Sequence, residues 1–166
     1  MHKNPYNYHA TPMVILVPTY LLLGLAAAYG LRKGYWPLVA VVAFIGLSFY
    51  AWRKLQHRVA IRKAVREILQ TYSSIPEQVR LENDHPLLSI PADLQGAWED
   101  VYHPDLDWFR AAYSHDKLVK LEAFNVTFRE NALKLNARVK SIKLWHKDKR
   151  WKVVMGAAGV LFHNLG

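Results

Sequence analysis

The sequence predicts a membrane α-helical hairpin of two transmembrane helices, followed by a small α+β cytoplasmic domain. Three observations predict it: two long uncharged stretches near the start, a purely basic run straight after them, and short patterned segments beyond. Residues 10–31 and 34–52 contain no charged side chain. A helix rises about 1.5 Å per residue and the hydrocarbon core is about 30 Å thick, so roughly 20 apolar residues suffice to cross. Tyr29, Tyr35 and Trp36 mark one expected interface, and Tyr50 and Trp52 the other. The spans are placed at residues 13–31 and 35–52, after a cytoplasmic N-terminal segment at 1–12. The five-residue connection at 31–35 leaves them no course but to turn back on each other.

Charge sets the expected topology. The chain has 22 Lys and Arg against 13 Asp and Glu. Residues 1–66 hold nine bases and no acid, so the entire excess of +9 lies there, and residues 67–166 are neutral. The cluster Arg53, Lys54, Arg58, Arg62, Lys63 and Arg66 predicts that both termini stay inside, in a multi-pass protein of the inner membrane, against the opposing pull of Arg32 and Lys33. Anionic lipid headgroups are the expected partner of that cluster. A nucleic-acid-binding domain would keep its own positive face, so no nucleic acid is expected. A signal-peptidase reading of residues 26–28 fits poorly, because the run before it is too long and has one lysine ahead of it.

Gly24, Ala28, Gly30, Ala43 and Gly46 form small-residue stripes suited to close helix packing, within the hairpin or against another protein's spans. No ionisable group interrupts either span, which argues against a pore or pump. Residues 53–72 lack Gly and Pro and read as a basic exit helix, with Ile61, Val65, Ile68 and Tyr72 on one face and Arg58, Arg62 and Arg66 on another.

Residues 73–166 form the expected cytoplasmic domain. Ser74 with Glu77 reads as a capping box, a second Ser-Ile-Pro at 89–91 opens another helix, and Pro104 begins a third that runs to about Tyr113. Leu94, Trp98, Val101, Leu106, Phe109 and Tyr113 are the expected buried faces. Beyond Asp116, residues 124–128 and 133–139 alternate apolar with polar, and residues 145–151 resemble a hairpin turn between 142–144 and 152–154. This predicts a three-stranded antiparallel sheet. The all-α alternative, with a long C-terminal helix, rests on Leu118, Leu121, Phe128, Ala132, Leu135, Val139 and Ile142, a stripe interrupted by Asn125. The apolar decapeptide 153–162 is too short to span a bilayer and reads as a core strand or a covered segment. Charge is segregated: residues 67–116 hold ten acids and two bases, and residues 117–166 three acids and eleven bases. The economical expectation is that the two halves face each other; the sharper one is that each meets a different protein.

No cysteine is present, which excludes disulfides and thiolate chemistry. No phosphate-binding glycine loop, nucleophile elbow or zinc pair occurs, so no catalytic, cofactor or metal residues are assigned. His103, Asp105, Asp107, His115 and Asp116 lie close enough in sequence for an acid–base cluster, though such residues more often cap helices and line loops. The glycosylation acceptor at 125–127 carries no meaning in a cytoplasmic segment. The expected function is therefore a non-enzymatic inner-membrane subunit that anchors an interaction domain in a larger envelope assembly, of the secretion, conjugation or polysaccharide-synthase kind. Other membrane-complex subunits are the expected partners, and homo-oligomers are open. The alternatives are a stand-alone immunity, exclusion or regulatory membrane protein, and a small membrane-bound enzyme.

Overall fold

A computed structural model describes residues 24–86, 88–136, 139 and 141–165. Every element among them is a helix, and no strand occurs there. Residues 24–33 are helical (α1); α2 spans Trp36–Ser73, α3 Ile75–Asp84, α4 Ile90–Val101, α5 Asp107–Arg110, α6 His115–Asn131, α7 Ile142–Trp145 and α8 Lys149–Leu165. The chain divides into two compact units, Met1–His57 and Arg58–Gly166.

In the first unit, α1 ends at Gly34. This glycine takes φ +74°, a left-handed conformation that costs a residue with a Cβ. The Tyr35 amide donates to the Gly30 carbonyl at 2.8 Å and the Gly34 amide to Leu31 at 3.3 Å. These two bonds close a Schellman turn, and Pro37 then stands in the first turn of α2, where its missing N–H is harmless. The expected N-terminal segment 1–12, and residues 13–23 of the expected first span, lie outside the described residues.

The membrane hairpin is not supported. Among the described residues no helix is long and apolar enough to cross a membrane. That finding overturns the transmembrane assignment and the multi-pass inner-membrane placement. The physical reason lies in α2 itself. Its 38 residues are ample in length, but Trp36, Pro37, Gly46, Ser48, Tyr50 and Trp52 dilute the apolar stretch, which then runs without a break into Arg53 and Lys54.

The second unit is built around the C-terminal part of α2. Ile61, Ala64, Val65, Ile68, Leu69 and Tyr72 are buried, the i, i+3, i+4, i+7 spacing of one helical face. Tyr72 lies among Phe124, Phe128 and Trp151, and its hydroxyl donates to the Leu94 carbonyl at 2.6 Å. Ser74 caps α3 by accepting the Glu77 amide at 3.4 Å, which is one half of the expected capping box; the Ser74 amide donates to the Thr71 carbonyl and the Glu77 carboxylate pairs with Arg80. Helices α6 and α8 run antiparallel: Lys117 Nζ, near the start of α6, donates to the carbonyl of Leu165, the last residue of α8. At the other end Arg150 donates to the Lys134 carbonyl.

The three-stranded sheet is replaced by helices. Residues 124–128 lie within α6, residues 142–144 within the single turn α7, and residues 152–154 within α8; Ala137 and Arg138 of the expected second strand lie outside the described residues. Over five residues a two-residue alternation and a helical period are hard to separate, and burial decides between them. Leu121, Phe124 and Phe128 point inward from α6, and Trp151, Val154, Ala158 and Leu161 from α8. Asn125 does not break the α6 stripe, because its side-chain oxygen accepts the Trp98 indole N–H at 3.1 Å. The decapeptide 153–162 is the middle of α8. Of the expected buried faces only Leu106 is exposed, since the third helix shortens to the single turn α5.

Candidate functional site

The first unit carries the most conspicuous surface. Along the early part of α2, Trp36, Val41, Phe44, Ile45, Leu47, Tyr50, Trp52 and Leu55 are all exposed, Phe44 at 72% and Leu47 at 68%. At 100° per residue these positions cover more than half of the helix circumference, and the remaining side carries the half-buried Val39, Val42 and Gly46, so the segment has no polar side to present to water. Of the stripe residues, Gly24, Ala28 and Ala43 are exposed, Gly46 is half-buried and Gly30 is buried. A methyl group added at Gly24 or Gly46 would meet open space. Close packing at those two positions is not formed among the described residues.

The basic cluster is divided in use. Arg53 and Lys54 are exposed. Lys63 pairs with Glu67 at 3.8 Å, one turn on. Arg66 lies 4.8 Å above the Phe162 ring, a cation–π contact that ties α2 to α8. Arg62 Nε donates to the Ala112 carbonyl at 2.5 Å. Arg58 is half-buried, and its Nε is a buried donor with no hydrogen-bond partner. The ridge at Arg58, Arg62 and Arg66 is thus drawn against the fold. Sequence spacing alone could not show this, because the ridge borders the buried Ile61 and Val65 face.

The acid–base candidates are held locally. Asp107 pairs with Arg110 and Asp116 with Lys120. His103 contacts the Asp100 carbonyl and lies edge-on to Trp108. Among the described residues no group of three or more His, Asp or Glu could hold a metal ion. The two oppositely charged halves are not joined by long-range ion pairs among the described residues; every pair there lies within four positions in sequence.

Two buried polar arrangements escaped sequence reasoning. The Tyr102 hydroxyl donates to the Glu122 carboxylate. Burial first, then that bond and the Glu122 charge, push the phenol well above its ordinary range, so it stays a donor. Gln78, fully buried, uses its whole amide. Its nitrogen donates to the Thr71 and Tyr72 carbonyls at 2.9 and 2.8 Å. Its oxygen faces the Trp151 indole N–H at 3.1 Å and His146 Nε2 at 2.8 Å. Since the carbonyls can only accept and the indole can only donate, the amide orientation is fixed, and His146 must carry a proton on Nε2. Burial holds the His146 imidazole below its ordinary range, with the Glu82 charge pulling the other way.

A groove of about 310 Å³ runs between α6 and α8, floored by Ala123, Phe124, Thr127, Ala157 and Leu161, with Val160 on its edge. It is a second apolar surface, on the second unit. No protein-family model, curated protein or solved structure matches this chain.

Proposed function

We propose that this chain is a non-enzymatic subunit that fixes a folded helical unit into a larger protein assembly through the apolar first part of α2. The observation that carries this reading is the run of bulky apolar side chains exposed over more than half of that helix's circumference between Trp36 and Leu55. An isolated helix of this kind is unfavourable in water, because each large apolar side chain left uncovered forgoes about 1.5–3 kcal/mol of burial. Helices that are apolar on every side belong inside something. Other helices are the natural cover, since an apolar surface wider than half the helix circumference needs more than one neighbour to bury it. The α6–α8 groove offers a further place for a partner to rest.

The test is photo-crosslinking in cells, with a benzophenone amino acid placed at Phe44 or Leu47 of the full chain. Discrete adducts with other proteins are expected, and Phe44→Asp combined with Leu47→Asp should abolish co-purification with them. A chain that purifies as a solitary monomer and gives no protein adduct, or adducts with lipid alone, would refute the proposal.

A further inference from the structure

A different feature of the second unit points to a ligand. Tyr113 is only 9% exposed, yet its buried hydroxyl has no hydrogen-bond partner. Buried hydroxyls are normally paired, and an unpaired one destabilises the fold. The Arg58 Nε–H is a second buried donor in the same condition. The two belong to neighbouring places in the fold. Arg62, one turn after Arg58 on the same ridge of α2, donates to the carbonyl of Ala112, the residue just before Tyr113. The Arg62 charge also acts on the Tyr113 hydroxyl.

What gathers there is one-sided. The Arg62 guanidinium and a phenol supply donors and positive charge, Arg58 follows one turn back along α2, and no carboxylate of the described residues pairs with Arg58 or Arg62. Burial pushes the Tyr113 phenol above its ordinary range, with Arg62 only partly offsetting it, so the hydroxyl keeps its proton and can donate. Aspartate and glutamate are absent from the whole sequence up to Arg66, and on either side of Tyr113 Asp107 pairs with Arg110 and Asp116 with Lys120. The complement of such a set is an oxyanion with several acceptor oxygens. Guanidinium groups bind phosphate through paired, charge-assisted hydrogen bonds.

We infer that Arg58, Arg62 and Tyr113 form a binding site for a phosphate group, with the buried Arg58 Nε–H and the Tyr113 hydroxyl donating to its oxygens. A small phosphorylated molecule and a lipid headgroup present the same group, and the experiment separates them. The full chain is melted in inorganic phosphate and in chloride of equal ionic strength. It is also sedimented with phosphatidylcholine vesicles, with and without phosphatidic acid. The variants are Tyr113→Phe and Arg58→Gln.

Phosphate should raise the unfolding midpoint of the natural chain, or phosphatidic acid should recruit it to vesicles. The first result marks a soluble phosphate ligand and the second alone a lipid phosphate. Either response should weaken roughly tenfold or more in both variants, the loss expected for one charge-assisted hydrogen bond. In chloride, Tyr113→Phe should be at least as stable as the natural chain, because it removes an unpaired buried hydroxyl. That result separates a binding role from a structural one. No response in either arm, or equal responses in the natural chain and both variants, overturns the site.

Discussion

Replacing Gln78 with leucine should destabilise the second unit by about 2 kcal/mol, a figure set by which of its four partners can reach water. The Trp151 indole N–H is fully buried, and so is Tyr72, whose carbonyl takes one of the amide protons. Thr71 and His146 are half-buried, so the groups they lose can turn to solvent. The stranded indole N–H costs about 1–3 kcal/mol and the lost bond to the Tyr72 carbonyl about 1 kcal/mol, which together give about 2–4 kcal/mol. Leucine recovers about 1 kcal/mol of that by being more apolar than the amide it replaces. The assay is urea unfolding of the full chain, followed by far-ultraviolet circular dichroism. Adding Trp151→Phe removes the stranded N–H, so the cost of Gln78→Leu in that background should fall by about 1–2 kcal/mol. If Gln78→Leu costs less than about 1 kcal/mol, or the cycle shows no coupling, the amide is not the joint described above.

His146 gives the same joint a pH dependence. Its folded pKa lies below the unfolded value of about 6.5, so stability is complete above that pH and is lost as pH falls through the folded pKa. His146→Gln should flatten this acid limb in unfolding curves taken between neutral and mildly acid pH. Glu82 accepts the Ile142 amide at 2.9 Å and so caps α7 from α3. Glu82→Ala should cost about 1–2 kcal/mol in the same urea assay, with Glu82→Gln retaining most of the bond. Tyr72→Phe deletes the bond to the Leu94 carbonyl and should cost about 1 kcal/mol, read from the urea midpoint at unchanged slope.

Helix starts and buried faces were legible where one short rule decides them. Ser74 with Glu77 announces α3, and Ile61, Val65, Ile68 and Tyr72 announce the inner face of α2, because caps and periodicity are local. The C-terminal third was not legible in the same way. In residues 124–128 and 133–139 an alternating pattern overlaps a helical one, and only the partners across the core choose between them. Asn125 shows why: in sequence it interrupts a stripe, and in the fold it is the acceptor that Trp98 requires. The apolar run in α2 misled for a related reason. Length, absence of charge and aromatic flanks together suggest a span, while Trp36, Pro37, Gly46, Ser48 and Tyr50 dilute its apolar character. The basic cluster was legible as charge but not as geometry, since nothing local shows that Arg62 reaches the Ala112 carbonyl fifty residues away.

The contrast between Gln78 and Tyr113 bears on how the anion site should be understood. Both are buried polar side chains of the same unit. The amide satisfies both donors and both acceptor directions from four separate residues, which shows that this packing can complete a buried polar group when the fold itself needs it. Tyr113 and Arg58 are left incomplete beside positive charge. Phenylalanine at 113 would bury the same ring without the stranded hydroxyl, so stability alone gives no reason for the oxygen. An unsatisfied donor that a simpler side chain would avoid, within reach of the Arg62 charge, is what a site costs the fold when its remaining partner comes from outside the chain.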